Sequence, residues 1–168
     1  MLAVNQAALA RQTDSDWQQT LLVDEVGIGM TAANARLADV APHLVGRYVW
    51  ALDDDDVCVC DTLVANLKEI CEELRGPELI IVRVDHGPDL GVLPPNELWR
   101  EQPQGARIGG SGVIVRRDLW QRCADGWRKP GYMADFNFVT ACYDEAAEVV
   151  WYDVVAARVQ RISHGAPE

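Results

Sequence analysis

The sequence predicts an α/β fold: one domain spanning 1–168, built as a three-layer α/β/α sandwich with a mainly parallel central sheet. Three observations predict it. Apolar strand-like runs alternate with segments of helical period along the chain. The strand-like runs are apolar at consecutive positions, the pattern of strands covered by helices on both faces. The 168 residues are 49% hydrophobic, enough for one sizeable core.

The elements follow in order. Leu2 to Arg11 is alanine-rich and reads as a helix, broken by Asp14-Ser15-Asp16. Trp17 to Val23 reads as a strand closing in Asp24-Glu25, and Gly27-Ile28-Gly29 as a loop. Met30, Ala33, Leu37 and Val40 share one helix face. Arg47 to Leu52 reads as a strand. A helix capped by Asp61 carries the stripe Leu63, Val64, Leu67, Ile70, Cys71 and Leu74, with Gly76 where a left-handed residue ends a helix. Glu78 to Val84 is a strand. Residues 85–109 are rich in proline and glycine and irregular, the kind of long loop that often carries function. Ser111 to Arg116 is a strand, Asp118 to Asp125 a short helix, Arg128 to Tyr132 a loop, Ala134 to Glu145 a helix and Glu148 to Tyr152 a late strand.

Composition excludes several classes. The formal net charge of −11 argues against binding a nucleic-acid backbone or an anionic lipid surface. The five cysteines, Cys58, Cys60, Cys71, Cys123 and Cys142, form no disulfide framework, and Cys58-x-Cys60 lacks the second pair of a zinc site. They read as free thiols in a reduced, cytoplasmic protein. Met1 to Ala10 has no basic flank and is too short to cross a bilayer, so neither a signal peptide nor a transmembrane segment is expected.

The densest chemistry lies at Asp53, Asp54, Asp55 and Asp56, directly after Tyr48-Val49-Trp50-Ala51-Leu52. Four carboxylates at a strand end repel one another unless water or a cation relieves them. Hard divalent ions such as magnesium and manganese prefer carboxylate ligands and bridge to phosphate oxygens. Alternation along an extended segment puts Asp53 and Asp55 on one face and Asp54 and Asp56 on the other, so two registers of a D-x-D pair are open.

The ordered set Val23-Asp24-Glu25, the helix with Ala32-Ala33-Asn34, and Gly46-Arg47-Tyr48 through Asp56 resembles the nucleotide-binding half of GT-A glycosyltransferases, especially family 2. Downstream, Gly109-Gly110-Ser111-Gly112-Val113-Ile114-Val115-Arg116-Arg117 is similar to the family strand that lines the acceptor side. Gly131-Tyr132-Met133-Ala134-Asp135 is similar to the segment that carries its catalytic base. The resemblance implies a nucleotide-binding half over 1–60 and an acceptor and catalytic half over 85–164. It implies a donor nucleotide-sugar, foremost a UDP-sugar, with an unidentified sugar, lipid-linked or protein acceptor.

The resemblance also implies the roles. Asp24 and Glu25 would contact the nucleoside. Asp53 would sit near the ribose or metal, with Asp54 competing for its place. Asp55 would be the principal ligand of Mn2+ or Mg2+, and His164 a further metal ligand. Asp135 would be the general base, or the helix N-cap ahead of Phe136-Asn137-Phe138. Trp99 is a candidate for stacking on a sugar, and Arg107, Arg116 and Arg117 for meeting diphosphate; His43 and His86 rank lower. Family members begin with a strand of the type V-x-V-I-I-P-T-Y-N, and this chain departs from them by opening in the first helix, with Asn5 a candidate remnant of that strand's end. An uncovered strand edge would result, open to homo-oligomerisation or a swapped strand.

Two other readings compete. Asp53-Asp54-Asp55-Asp56-Val57 also fits the D-x-D-x-[TV] pattern of haloacid dehalogenase-like phosphatases, whose later lysine could only be Lys68 or Lys129. The third is a non-catalytic GT-A-like domain that binds nucleotide or a protein.

Overall fold

The computed structural model describes residues 2–130 and 133–160; His164, Gly131 and Tyr132 lie outside the described residues. The fold is mixed α/β, with a curled sheet and five α-helices among the described residues. In chain order these are α1 (Leu2–Leu9), α2 (Met30–Asp39), β1 (Tyr48–Trp50), β2 (Asp56–Cys58), α3 (Leu63–Glu73), β3 (Leu79–Asp85), β4 (Val92–Leu93), β5 (Val113–Arg116), α4 (Arg117–Cys123), α5 (Ala134–Glu145) and β6 (Val149–Val159).

The sheet runs β1-β5-β3-β6-β2, with β4 beside β3. Its register corrects the expected mainly parallel sheet. Among the described residues only β3 and β6 pair in parallel; β1–β5, β2–β6, β3–β4 and β3–β5 are antiparallel. Consecutive hydrophobics report burial on both faces but carry no information on strand direction. Here most connections return at the end of the sheet they left, which reverses the next strand.

Both faces are covered, as expected. Leu79 and Ile81 of β3 and Val113 and Val115 of β5 face α2, α4 and α5, through Ala38, Leu119, Trp120, Phe138, Val139 and Cys142. Ile80, Val82 and Ile114 face α1 and α3, through Ala8 and Leu63. On the first side Trp120, Trp127 and Phe138 form an aromatic knot, with ring centroids 4.5 Å apart for Trp120–Phe138 and 4.7 Å for Trp127–Phe138. Buried Glu78 accepts from Arg116, Arg122 and the backbone N–H of Ala147, tying the starts of β3, α4 and β6 together at the opposite end from the acids.

Three local expectations change. Trp17 to Val23 forms no strand: the run is irregular and exposed, because no neighbouring strand offers it a ladder. Asp61 does not cap α3 and instead pairs with Arg11 at 3.2 Å; Thr62 precedes the helix without a side-chain cap. Asp56 to Cys58, opening on the last residue of the acid run, is a strand, because β6 extends to Val159 and gives it a partner. Gly76 does take the left-handed conformation, at φ +82, and a Cβ there would lie 1.9 Å from Arg47 Nη2. Among the described residues no helix is long and apolar enough to cross a membrane.

Candidate functional site

The strand directions gather five termini at one end of the sheet. β1, β3 and β6 end there at Trp50, Asp85 and Val159, and β2 and β5 begin there at Asp56 and Val113. A cavity of about 200 Å³ opens at this end, lined by Asp53, Asp55, Asp56, His86, the Gly109–Ser111 turn, Asp135 and Val159. Sites of α/β sheets commonly lie beyond the strands' carboxyl ends.

The aspartate turn is fastened by its backbone. Asp56 N–H donates to Asp53 O at 3.1 Å, and Gln160 N–H to Asp55 O at 2.7 Å. Asn5, buried on α1, donates from Nδ2 to Asp56 O at 2.8 Å, so the residue read as a strand remnant serves as a brace. Asp53 and Asp55, of one register, line the cavity together with Asp56 of the other, whereas Asp54 does not.

The opposite wall comes from the turn before β5 and the start of α5. Trp50 Nε1 donates to Ser111 O at 2.8 Å, fixing that turn to β1. The Ser111 hydroxyl lies beside the Asp56 carboxylate and partly offsets the upward push of burial on it. A Cβ on Gly109 would lie 2.8 Å from Asp135 Oδ2, and one on Gly110 would lie 2.7 Å from Trp127 Cη2. Only glycine permits both approaches, so the aromatic knot and Asp135 meet the same turn. Asp135 is the second residue of α5; its Oδ1 accepts Phe136 N–H at 2.7 Å, and the nearby Gly110 backbone favours its charged form against burial.

Electrostatics mark the cavity as strained. Burial, then the charges of Asp56, Asp55, Asp135 and Asp54, pushes Asp53 up to about 6. Much of the Asp53 residue nonetheless meets solvent, which moderates the penalty. Burial likewise raises Asp56 and Asp135. Burial lowers His86, against the opposing pull of Asp56, Asp85 and Asp55.

A raised carboxylate is uncharged in the folded protein at low pH and carries its penalty once it ionises. For Asp53 the penalty is absent below about 3.8 and complete above about 6. Asp53→Asn is therefore expected to stabilise the cation-free protein at pH 7 by about 1 kcal/mol after screening, or about 2–4 °C in Tm. The gain should fade by pH 4 in melting curves. A loss of stability at pH 7, or a gain independent of pH, contradicts this charge cluster.

Several expected site residues are not brought together. Asp24 and Glu25 do not line the cavity, and Asp24 accepts from the N–H groups of Val26, Gly27 and Ile28 within its own loop. That use leaves its carboxylate committed to the turn ahead of α2. Arg116 serves Glu78 and Asp118. Arg107 lines a separate small crevice with Trp151, and His43 sits in an exposed turn after α2. Trp99 packs edge-on to Trp151, with the Arg83 guanidinium 4.0 Å above its ring, so it anchors the irregular segment to the sheet. Lys68 binds Asp14 at 2.7 Å and Asp16 at 3.1 Å, far from the aspartate turn in its bonding.

His86 and Ser111 are the residues that sequence reasoning undervalued. His86 directly follows the carboxyl end of β3, which was the available signal. Its place is set by a closed turn: His86 N–H donates to Gly91 O, Gly91 N–H to Gly87 O, and Gly87 N–H to Asp85 Oδ1 at 2.9 Å.

Among the described residues no group of three or more His, Cys, Asp or Glu side chains is gathered closely enough to hold a metal ion. The carboxylates line a cavity without forming a closed chelate. A magnesium-type ion commonly takes one or two carboxylates and completes its shell with water and substrate phosphate, a requirement that Asp53 and Asp55 fit. No protein-family model matches the chain.

Proposed function

We propose that this chain is a metal-dependent glycosyltransferase of the GT-A type, with the Asp53–Asp56 cavity as the site for the diphosphate of a nucleotide-sugar, foremost a UDP-sugar. One observation carries the reading. Asp53 and Asp55, at the end of β1, and Asp135, at the start of α5, face the same cavity from different walls. Donor and base chemistry need that juxtaposition. Its five free thiols suit a reducing compartment such as the cytoplasm.

Asp53 and Asp55 would hold Mn2+ or Mg2+ against the diphosphate. The bound cation supplies Lewis-acid stabilisation of the leaving nucleoside diphosphate. Asp135 accepts the proton that the acceptor hydroxyl loses as it attacks the sugar carbon. Burial raises its basicity above that of an ordinary aspartate. The Ser111 hydroxyl and the Gly110 backbone favour the charged forms of Asp56 and Asp135 against burial.

The phosphatase reading needs a lysine beside the aspartates, and the cavity wall contains none. Lys68 is held by Asp14 and Asp16 instead. A non-catalytic domain would use the same cavity for binding alone.

Thermal shift tests the proposal. Manganese with UDP at about one hundred times its Kd should stabilise by about 2.7 kcal/mol, about 5–10 °C. Manganese or UDP alone should do much less, since the carboxylates chelate no ion unaided. Asp55→Ala should remove the joint effect. No joint shift with UDP or any other nucleoside diphosphate defeats the proposal, and a shift with phosphate-mimicking fluorides alone turns it to the phosphatase. Binding without turnover of any nucleotide-sugar leaves the binding domain.

A further inference from the structure

β2 lies at the end of the sheet, with β6 on one side and no strand on the other among the described residues. Its ladder fixes where each backbone group points. Gln160 N–H donates to Asp55 O, and Val59 N–H to Ala156 O. Residues 55 and 59 therefore turn their backbone groups toward β6, and Asp56, opposite Val159, turns its own away. Two amide side chains meet the carbonyls on this outer edge. Asn5 Nδ2 donates to Asp56 O at 2.8 Å, and Gln12 Nε2 donates to Cys60 O at 2.6 Å. Each supplies a bond that a further strand would otherwise have to make.

The two amides differ in what holds their other end. Gln12 Oε1 accepts the backbone N–H of Val64 at 3.0 Å, a group fixed in the first turn of α3. Asn5 Oδ1 accepts from Nε2 of Gln19 at 3.1 Å, and Gln19 is an exposed side chain on the irregular stretch after α1. An asparagine amide has two ends of nearly equal shape, one a donor and one an acceptor. Turned the other way, its oxygen would face Asp56 O and two acceptors would meet. Gln19 keeps the oxygen outside and the NH2 group on the aspartate turn.

Asn5 is 4% exposed and Asp56 3%, so water does not take over the bond when it is lost. The same residue holds both ends of the turn. Asp56 N–H donates back to Asp53 O, and its carbonyl is the one Asn5 grips. We propose that Asn5 is a positioning residue for Asp53 and Asp55, with Gln19 setting the polarity of its amide. The proposal rests on the reading of this turn as the cation and diphosphate site. Asn5 does not line the cavity and touches no ligand. It acts by holding the turn in one arrangement before the cation arrives, so that ordering the two carboxylates is not charged against binding.

Titration with Mn2+ in the presence of UDP, followed by the electron paramagnetic resonance of the free ion, reads the effect without turnover. Asn5→Leu keeps the bulk of the side chain and removes the donor, and it should weaken joint binding about fivefold. Gln19→Glu should weaken it about threefold, because a carboxylate competes with Asp56 O for the Asn5 NH2 group, whereas Gln19→Lys still donates to Oδ1 and should stay within about twofold. That order is the reverse of a plain charge effect, in which the added glutamate attracts the cation and the added lysine repels it. In the cation-free protein the Asp56 amide should exchange faster in Asn5→Leu and Gln19→Glu than in the wild type. Gln19 is exposed, so its variants carry the test even where Asn5→Leu fails to fold. Wild-type affinity in Asn5→Leu and Gln19→Glu overturns the positioning role alone, and so does tighter binding in Gln19→Glu with weaker binding in Gln19→Lys. Faster exchange with unchanged affinity makes the bond structural only and also overturns it. Absence of joint binding in the wild type overturns it together with the transferase reading.

Discussion

Trp120→Ala is expected to destabilise the protein by about 3–5 kcal/mol, the range for removing a large aromatic from a packed core. Trp120 is 1% exposed and contacts both partners of the aromatic knot, with Phe138 at 4.5 Å and Trp127 at 5.9 Å between centroids. The loss opens a cavity between α4, α5 and the sheet that backbone shifts can close only partly. Equilibrium denaturation by urea measures it. Trp120→Phe is the control. Trp120 Nε1 is buried without a hydrogen-bond partner among the described residues, so phenylalanine keeps a ring while removing that donor. Its cost should be clearly smaller than that of Trp120→Ala, because most of the buried ring remains and the cavity is smaller. If the two variants are equally damaging, the knot is not what holds α4 and α5 to the sheet.

The same substitution should reach the cavity. Trp127 lies against Gly110, Asp135 lies against the adjoining Gly109, and Phe138 lies one turn beyond Asp135 on α5. The core cluster is thus the support for one wall of the candidate site. A functional loss in Trp120→Ala would reflect that support, so residual activity must be read per folded molecule.

What the sequence made legible follows from what local pattern can encode. The α3 stripe was readable because burial recurs at helical period, and Gly76 because glycine most readily takes the left-handed turn that follows a helix end. The acid run was readable because like charges stand adjacent in the chain. Strand direction was not readable: Val113 to Val115 would look the same paired either way. Trp17 to Val23 misled because strand propensity is only a capacity, realised when a neighbour supplies the other half of the ladder. Asp24 misled for a related reason, since a carboxylate beside a glycine loop can satisfy its own backbone as readily as a ligand. His86 and Ser111 were hidden because sheet order, which spacing does not reveal, brings them to the aspartates.

Asp135→Asn separates the two roles left to that residue, and it should carry the largest catalytic effect. As a helix-end acceptor, Asp135 needs only an oxygen for Phe136 N–H, 2.7 Å away, and asparagine retains one. As a general base it needs a lone pair that can take a proton, which an amide lacks. The base role therefore predicts a fall in kcat of about 10²–10⁴, with manganese-dependent UDP affinity and Tm nearly unchanged. The pH profile adds a second readout. Burial raises the Asp135 pKa, so the acid limb of wild-type turnover should lie above the ordinary aspartate value of 3.8. Activity is lost as pH falls through that limb, because the protonated acid cannot accept a proton. The residual turnover of Asp135→Asn should lose the limb altogether. Release of UDP from nucleotide-sugars, followed from pH 4 to 9, measures both effects. Full turnover with an unchanged acid limb would assign Asp135 to the helix end and move the search for a base to Asp56 and His86, which face the same cavity.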